Sequence, residues 1–138
     1  MSKLKIGKPF TLTLCLFASA GATLACENLA ALDDFIATGN APMDATCVTF
    51  AAQTGSKGTS CHWSFPFRDQ DAEDFFVSAW TEIRMCRSGA LGVPDEGVNH
   101  PDSFELWQWV TASETYRVSI KDKGAERRTF VFVSREPR

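Results

Sequence analysis

The residues of this chain with the means to do chemistry are few: His62 and His100, and five cysteines. His100, Asp102 and Ser103 sit together in the string Val98-Asn99-His100-Pro101-Asp102-Ser103 and carry the letters of a hydrolytic triad. Members of such a triad meet by folding, and adjacency in sequence brings neither the geometry nor an oxyanion hole. The chain has no G-x-S-x-G elbow and no glycine-rich phosphate loop. The string reads better as a turn into the next strand, with Asp102 or Ser103 turning the chain and Pro101 keeping it extended. His62 alternates outward from a strand, on the face opposite Trp63. No C-x-x-C pair and no close Cys or His pair of zinc spacing occurs. No catalytic, metal or cofactor residue is therefore assigned. A small hydrolase-like enzyme using His100, Asp102 and Ser103 is the alternative to a non-enzymatic reading.

The cysteines serve architecture better than reactivity. Residues 1–9 carry Lys3, Lys5 and Lys8 without an acid, and a short apolar run, Phe10 to Phe17, follows. Ala20-Gly21-Ala22 then offers a cleavage site, with Thr23-Leu24-Ala25 as a second choice. This order describes a secretory signal over residues 1–22, cleaved as late as 25. Its apolar run is far below the ~20 residues of a membrane-spanning helix. Cys15 leaves with the signal, and Cys26, Cys47, Cys61 and Cys86 remain. An even set of thiols in a short exported chain is read as two disulfides. Lipid attachment at Cys26 is the minor alternative. It fits poorly, because Thr23 stands where the lipid box has an aliphatic residue, and acylation leaves three thiols. The expected location is periplasmic or secreted.

Residues 26–138 form one domain by length. Removing the three signal lysines leaves 11 bases against 17 acids, a net of −6. Residues 26–105 hold 13 acids and 4 bases, whereas residues 106–138 hold 4 acids and 7 bases. A basic final third on an acidic body argues against nucleic acid as a partner.

The elements that must position these residues follow from periodicity. Leu29, Leu32, Phe35 and Ile36 recur at helical spacing over 26–38, and Gly39-Asn40 ends the run. Residues 47–52 and 60–67 read as a hairpin. Residues 69–87 form the clearest helix, capped by Asp69 or Asp71, with Ala72, Phe76, Ala79, Trp80, Ile83 and Cys86 on one face. A loop over 88–101 precedes strands at 103–111, 115–121 and 127–134, with Lys121-Asp122-Lys123-Gly124 as the last hairpin turn. The order α-β-β-α-β-β-β predicts an α+β fold, an antiparallel sheet with helices on one face.

Four cysteines allow three pairings. Alternation places Cys61 with Trp63 and Phe65 on the apolar face, under the helix that carries Cys86, while Cys47 points away from Val48 and Phe50. The expected bridges are Cys26–Cys47 and Cys61–Cys86, with Cys47–Cys61 across the hairpin as the second choice.

The strand around Phe104-Glu105-Leu106-Trp107-Gln108-Trp109-Val110 is apolar on both faces, and Phe130-Val131-Phe132-Val133 repeats the trait. A sheet covered on one side should alternate cleanly. Trp107, Trp109, Phe130 and Phe132 are therefore the candidate partner-binding patch, with Arg117 and Lys121 supplying positive charge nearby. The expected function is a small exported binding or accessory protein of the bacterial envelope, contacting another envelope protein or a small ligand.

Overall fold

The computed structural model describes residues 26–42, 44–52, 54–93 and 104–138. The export signal and its cleavage sites lie outside the described residues, as do His100, Asp102 and Ser103. Two helices, α1 (Glu27–Thr38) and α2 (Gln70–Cys86), and six strands follow in chain order: β1 (Ala45–Ala51), β2 (Lys57–Pro66), β3 (Ala90–Leu91), β4 (Phe104–Val110), β5 (Glu114–Lys123) and β6 (Arg128–Pro137). The strands make one antiparallel sheet in the order β1-β2-β6-β5-β4-β3. The α+β fold expected from the sequence is therefore the fold observed, with one addition. Ala90 and Leu91, inside the expected loop, pair with Val110 and Trp109 as a short edge strand.

α2 forms where its sequence demands. The Asp69 carboxylate accepts the Asp71 N–H, Asp71 and Glu73 meet the positive end of the helix dipole, and Arg84 lies in its last turn. Such a cap contributes about 1 kcal/mol. Ala72, Phe76, Ala79, Trp80 and Ile83 are buried against the sheet, which supplies Cys61, Tyr116, Val118, Val131 and Val133 to the same core. α1 has a weaker apolar stripe. Leu29 and Leu32 are buried, but Ile36 remains 43% exposed. Gly39 takes φ +75°, the left-handed conformation that ends a helix without a Cβ clash.

Each helix is tied down by polar contacts. Glu82 of α2 accepts Asn28 Nδ2 at 2.7 Å and the Leu29 N–H at 3.0 Å. Asp33 of α1 bridges Arg87 at 3.1 Å and Arg135 at 2.6 Å. Arg87 Nε donates to the Tyr116 hydroxyl, which donates to Glu114 at 2.6 Å. Burial and that bond to Glu114 hold the Tyr116 phenol above its ordinary pKa.

The disulfides correct the expected pairing. Cys26 bonds Cys86, and Cys47 bonds Cys61. The error was one of strand parity. Cys47, expected on the face of its strand away from Cys61, lies directly opposite Cys61 on the helix-covered side, while Val48 is 51% exposed. Cys26 is the N-cap residue of α1, and α1 packs on α2 through Glu82, which brings Cys26 to the end of α2. One bridge thus joins helix to helix and the other staples the hairpin. The last turn also differs: β5 continues through Lys123, and positive φ falls at Arg127 rather than Gly124. Asp122 is then free to accept bonds from Arg68 and Thr129.

Candidate functional site

Paired residues in an antiparallel sheet share a face, and successive residues alternate. The register runs Trp107–Val118–Val133–Cys61–Cys47 on one face and Leu106–Ser119–Phe132–His62–Thr46 on the other. This separates the four aromatic residues expected to form one patch. Trp107 and Trp109 lie under α2. The Trp107 ring is 4.4 Å from Phe76 and 5.4 Å from Trp80, and Trp109 stands edge-on to Trp80 at 6.0 Å. Trp109 Nε1 donates to the Arg87 carbonyl at 3.0 Å. These indoles fasten α2 to the β4 side of the sheet. The expected four-residue patch is corrected because the indoles occupy odd positions of β4, whereas Phe130 and Phe132 occupy even positions of β6, which pair with the opposite face.

Phe130 and Phe132 stand on the side of the sheet that neither helix covers. Between them and β2 sits His62, its ring 5.7 Å from Phe130 and 5.1 Å from Phe132. Leu106, half-buried, continues the apolar surface across β5, and exposed Val48 continues it to the edge strand. Desolvation first, and the Lys123 ammonium second, hold the His62 imidazole below its ordinary value of 6.5. It therefore stands neutral near pH 7.

Basic residues surround this patch. Lys121 pairs in register with Phe130, and Lys123 Nζ lies 5.1 Å from the Phe130 ring centroid. Arg128 donates to Ser64 Oγ at 2.7 Å. Arg117 donates to Gln108 at 3.1 Å and to Glu136 at 2.6 Å. On the strand positions of this face, Glu136 is the acid set against Arg117, Lys121, Lys123 and Arg128. The helices carry the opposite sign. α1 and α2 together hold seven acids and one base. Charge is thus divided by layer, acidic on the helices and basic on the open sheet face. Segment totals along the sequence detected this imbalance but not its arrangement in space. His62 was the residue missed; its alternation against Trp63 was the signal that placed it outward, beside β6.

A cleft of about 490 Å³ opens on the other side, between the first turns of α2 and the strands β4 and β5. Phe76 and Trp107 line it together with Glu73, Glu105, Asp122 and Arg68. No group of three or more His, Cys, Asp or Glu side chains suited to a metal ion occurs among the described residues.

The fold and these surfaces define a small two-layer α+β domain, fastened by two disulfides, with one sheet face that neither helix covers among the described residues. No protein-family model matches the chain, and no curated protein matches it. Among solved structures, it is similar to CalU16 from Micromonospora echinospora at 8% identity and a TM-score of 0.32, over 67% of this chain and 66% of that one. At that level of likeness the comparison carries no functional argument. The two disulfides fit a small exported protein. Among the described residues, no helix is long and apolar enough to cross a membrane.

Proposed function

We propose that this chain is a small non-enzymatic binding protein of the bacterial envelope, periplasmic or secreted, that docks an acidic protein partner on its open sheet face. One observation carries the reading: the His62, Phe130 and Phe132 rings form a continuous surface on the side away from both helices, ringed by Lys121, Lys123, Arg117 and Arg128. Contiguous apolar surface with a polar rim is characteristic of protein contacts. The rim sets the sign of the partner, because positive groups steer acidic surfaces into place and repel basic ones. The aromatic centre supplies area that becomes dry on docking, and large rings at such centres carry most of the binding energy.

The test is affinity capture from envelope extract by the oxidised mature protein, compared with the Phe130→Ala/Phe132→Ala double variant and with Lys121→Glu. An acidic protein retained by the wild type should be lost with the double variant, and weakened by Lys121→Glu and by raised salt. Equal capture by all three folded proteins would remove this reading.

A further inference from the structure

We infer that the cleft between the first turns of α2 and the strands β4 and β5 binds a small organic cation, an ammonium group carried on an aromatic or alkyl body. This site is separate from the open sheet face. Its volume, about 490 Å³, lies in the range of small-molecule sites. Its floor is apolar: Phe76 and Trp107 with ring centroids 4.4 Å apart, flanked by Val77 and Ile120. Phe76 is only 3% exposed and closes the bottom of the cleft, so the part-exposed Trp107 indole is the ring that attracts an ammonium group through its quadrupole.

The charge around the floor points the same way. Among the described residues, Asp69, Glu73, Glu105 and Asp122 line the cleft against a single base, Arg68. Arg68 is already engaged, its Nε 3.1 Å from Asp122 Oδ2. Asp122 also accepts the Thr129 hydroxyl at 2.6 Å, and Asp69 is occupied in capping α2. Two carboxylates have no ion-pair partner among the described residues, although Glu73 also offsets the positive end of the α2 dipole. Glu73 accepts one long bond of 3.4 Å from Gln70 Nε2, and Glu105 has no hydrogen-bond or ion-pair partner among the described residues. An anion entering the cleft meets repulsion from both. A neutral molecule of the same shape gains only the apolar floor. A cation gains the floor, the Trp107 indole and the two carboxylates together.

The ammonium has two possible carriers, a free amine or the lysine of a peptide, and titration distinguishes them. The probes are phenethylammonium and N-acetyl-lysine amide, with 2-phenylethanol as the neutral match and 3-phenylpropionate as the anion. Indole fluorescence and the amide shifts of Trp107 and Ile120 report occupancy. Saturation by at least one of the two cations, with 2-phenylethanol about tenfold weaker and no response to the anion, is the result expected. Glu105→Gln should weaken the cation by about three- to tenfold at low salt, and Glu105 is exposed, so the fold tolerates the change. Phe132→Ala should leave this titration unchanged, which separates failure here from failure of the docking reading. Equal binding of amine and alcohol, or no saturation by either cation up to about 10 mM, overturns the proposal.

Discussion

The two faces of one sheet have been put to different uses, although both are rich in aromatic residues. On the covered face, Trp107 and Trp109 meet Phe76 and Trp80 of α2, and the Trp109 N–H is satisfied by the Arg87 carbonyl. On the open face, His62, Phe130 and Phe132 meet one another and the Lys123 ammonium, with no helix over them among the described residues. The covered rings have helix partners and serve stability; the open rings have no helix partner among the described residues, and the proposed docking surface is built on them. Residue type alone does not distinguish them. What distinguishes them is register, which sets the odd positions of β4 beneath α2 and the even positions of β6 away from it.

Substitutions can break this contrast in graded steps. The largest effect is expected at Phe76, only 3% exposed and packed against Trp107 in a tilted ring pair. Phe76→Ala should lower unfolding free energy by about 3–5 kcal/mol in a denaturant titration. The bridges come next. Removing Cys26–Cys86, with a sequence separation of 60, should cost about 4 kcal/mol, and removing Cys47–Cys61, with a separation of 14, about 3 kcal/mol in the chain-entropy account. Double Cys→Ala variants followed by thermal melting give the order. If the hairpin bridge proved the larger contributor, α1 would be held to α2 mainly by Glu82 and Asp33.

On the open face the stability effect should be small. Phe132→Ala is expected to cost about 1 kcal/mol or less, because the ring is only partly buried and leaves no closed cavity. A cost approaching that of Phe76→Ala would mean that the face is covered in solution.

The smallest effect concerns pH. His62 has its folded pKa below the ordinary 6.5, so the unfolded chain takes up the proton first. Its contribution to stability is complete above that value and is lost as pH falls from about 6.5 through the lower folded value. The gap in melting temperature between pH 7.5 and pH 5 should therefore be narrower in His62→Gln than in the wild type. An unchanged gap would show that the imidazole is as well solvated folded as unfolded.

Much of this fold was legible in the sequence because helices and turns announce themselves locally. The Asp69 cap, the Ala72-to-Ile83 stripe and Gly39 each act within a few residues of chain, and each falls where expected. Strand positions were found as well. Strand faces were less accessible: Cys47 was set on the face away from Cys61, and a one-residue error of parity sends every side chain of β1 to the wrong side. That single inversion misplaced Cys47 and with it both disulfides. The aromatic patch failed for a related reason, since large apolar residues on both sides of β4 and β6 gave no indication of which side α2 would cover. The link between Cys26 and Cys86 depends on α1 packing against α2 through Asn28 and Glu82, a long-range contact that no local pattern encodes.

The most direct measurement places a photo-crosslinking side chain in turn at position 132 on the open face and at exposed position 78 on α2, in the oxidised mature protein mixed with envelope extract. A discrete adduct from position 132, absent from position 78 and suppressed by salt, is the predicted result. Adducts from position 78 alone, or from both positions equally, would contradict the assignment of the open sheet face as the docking surface.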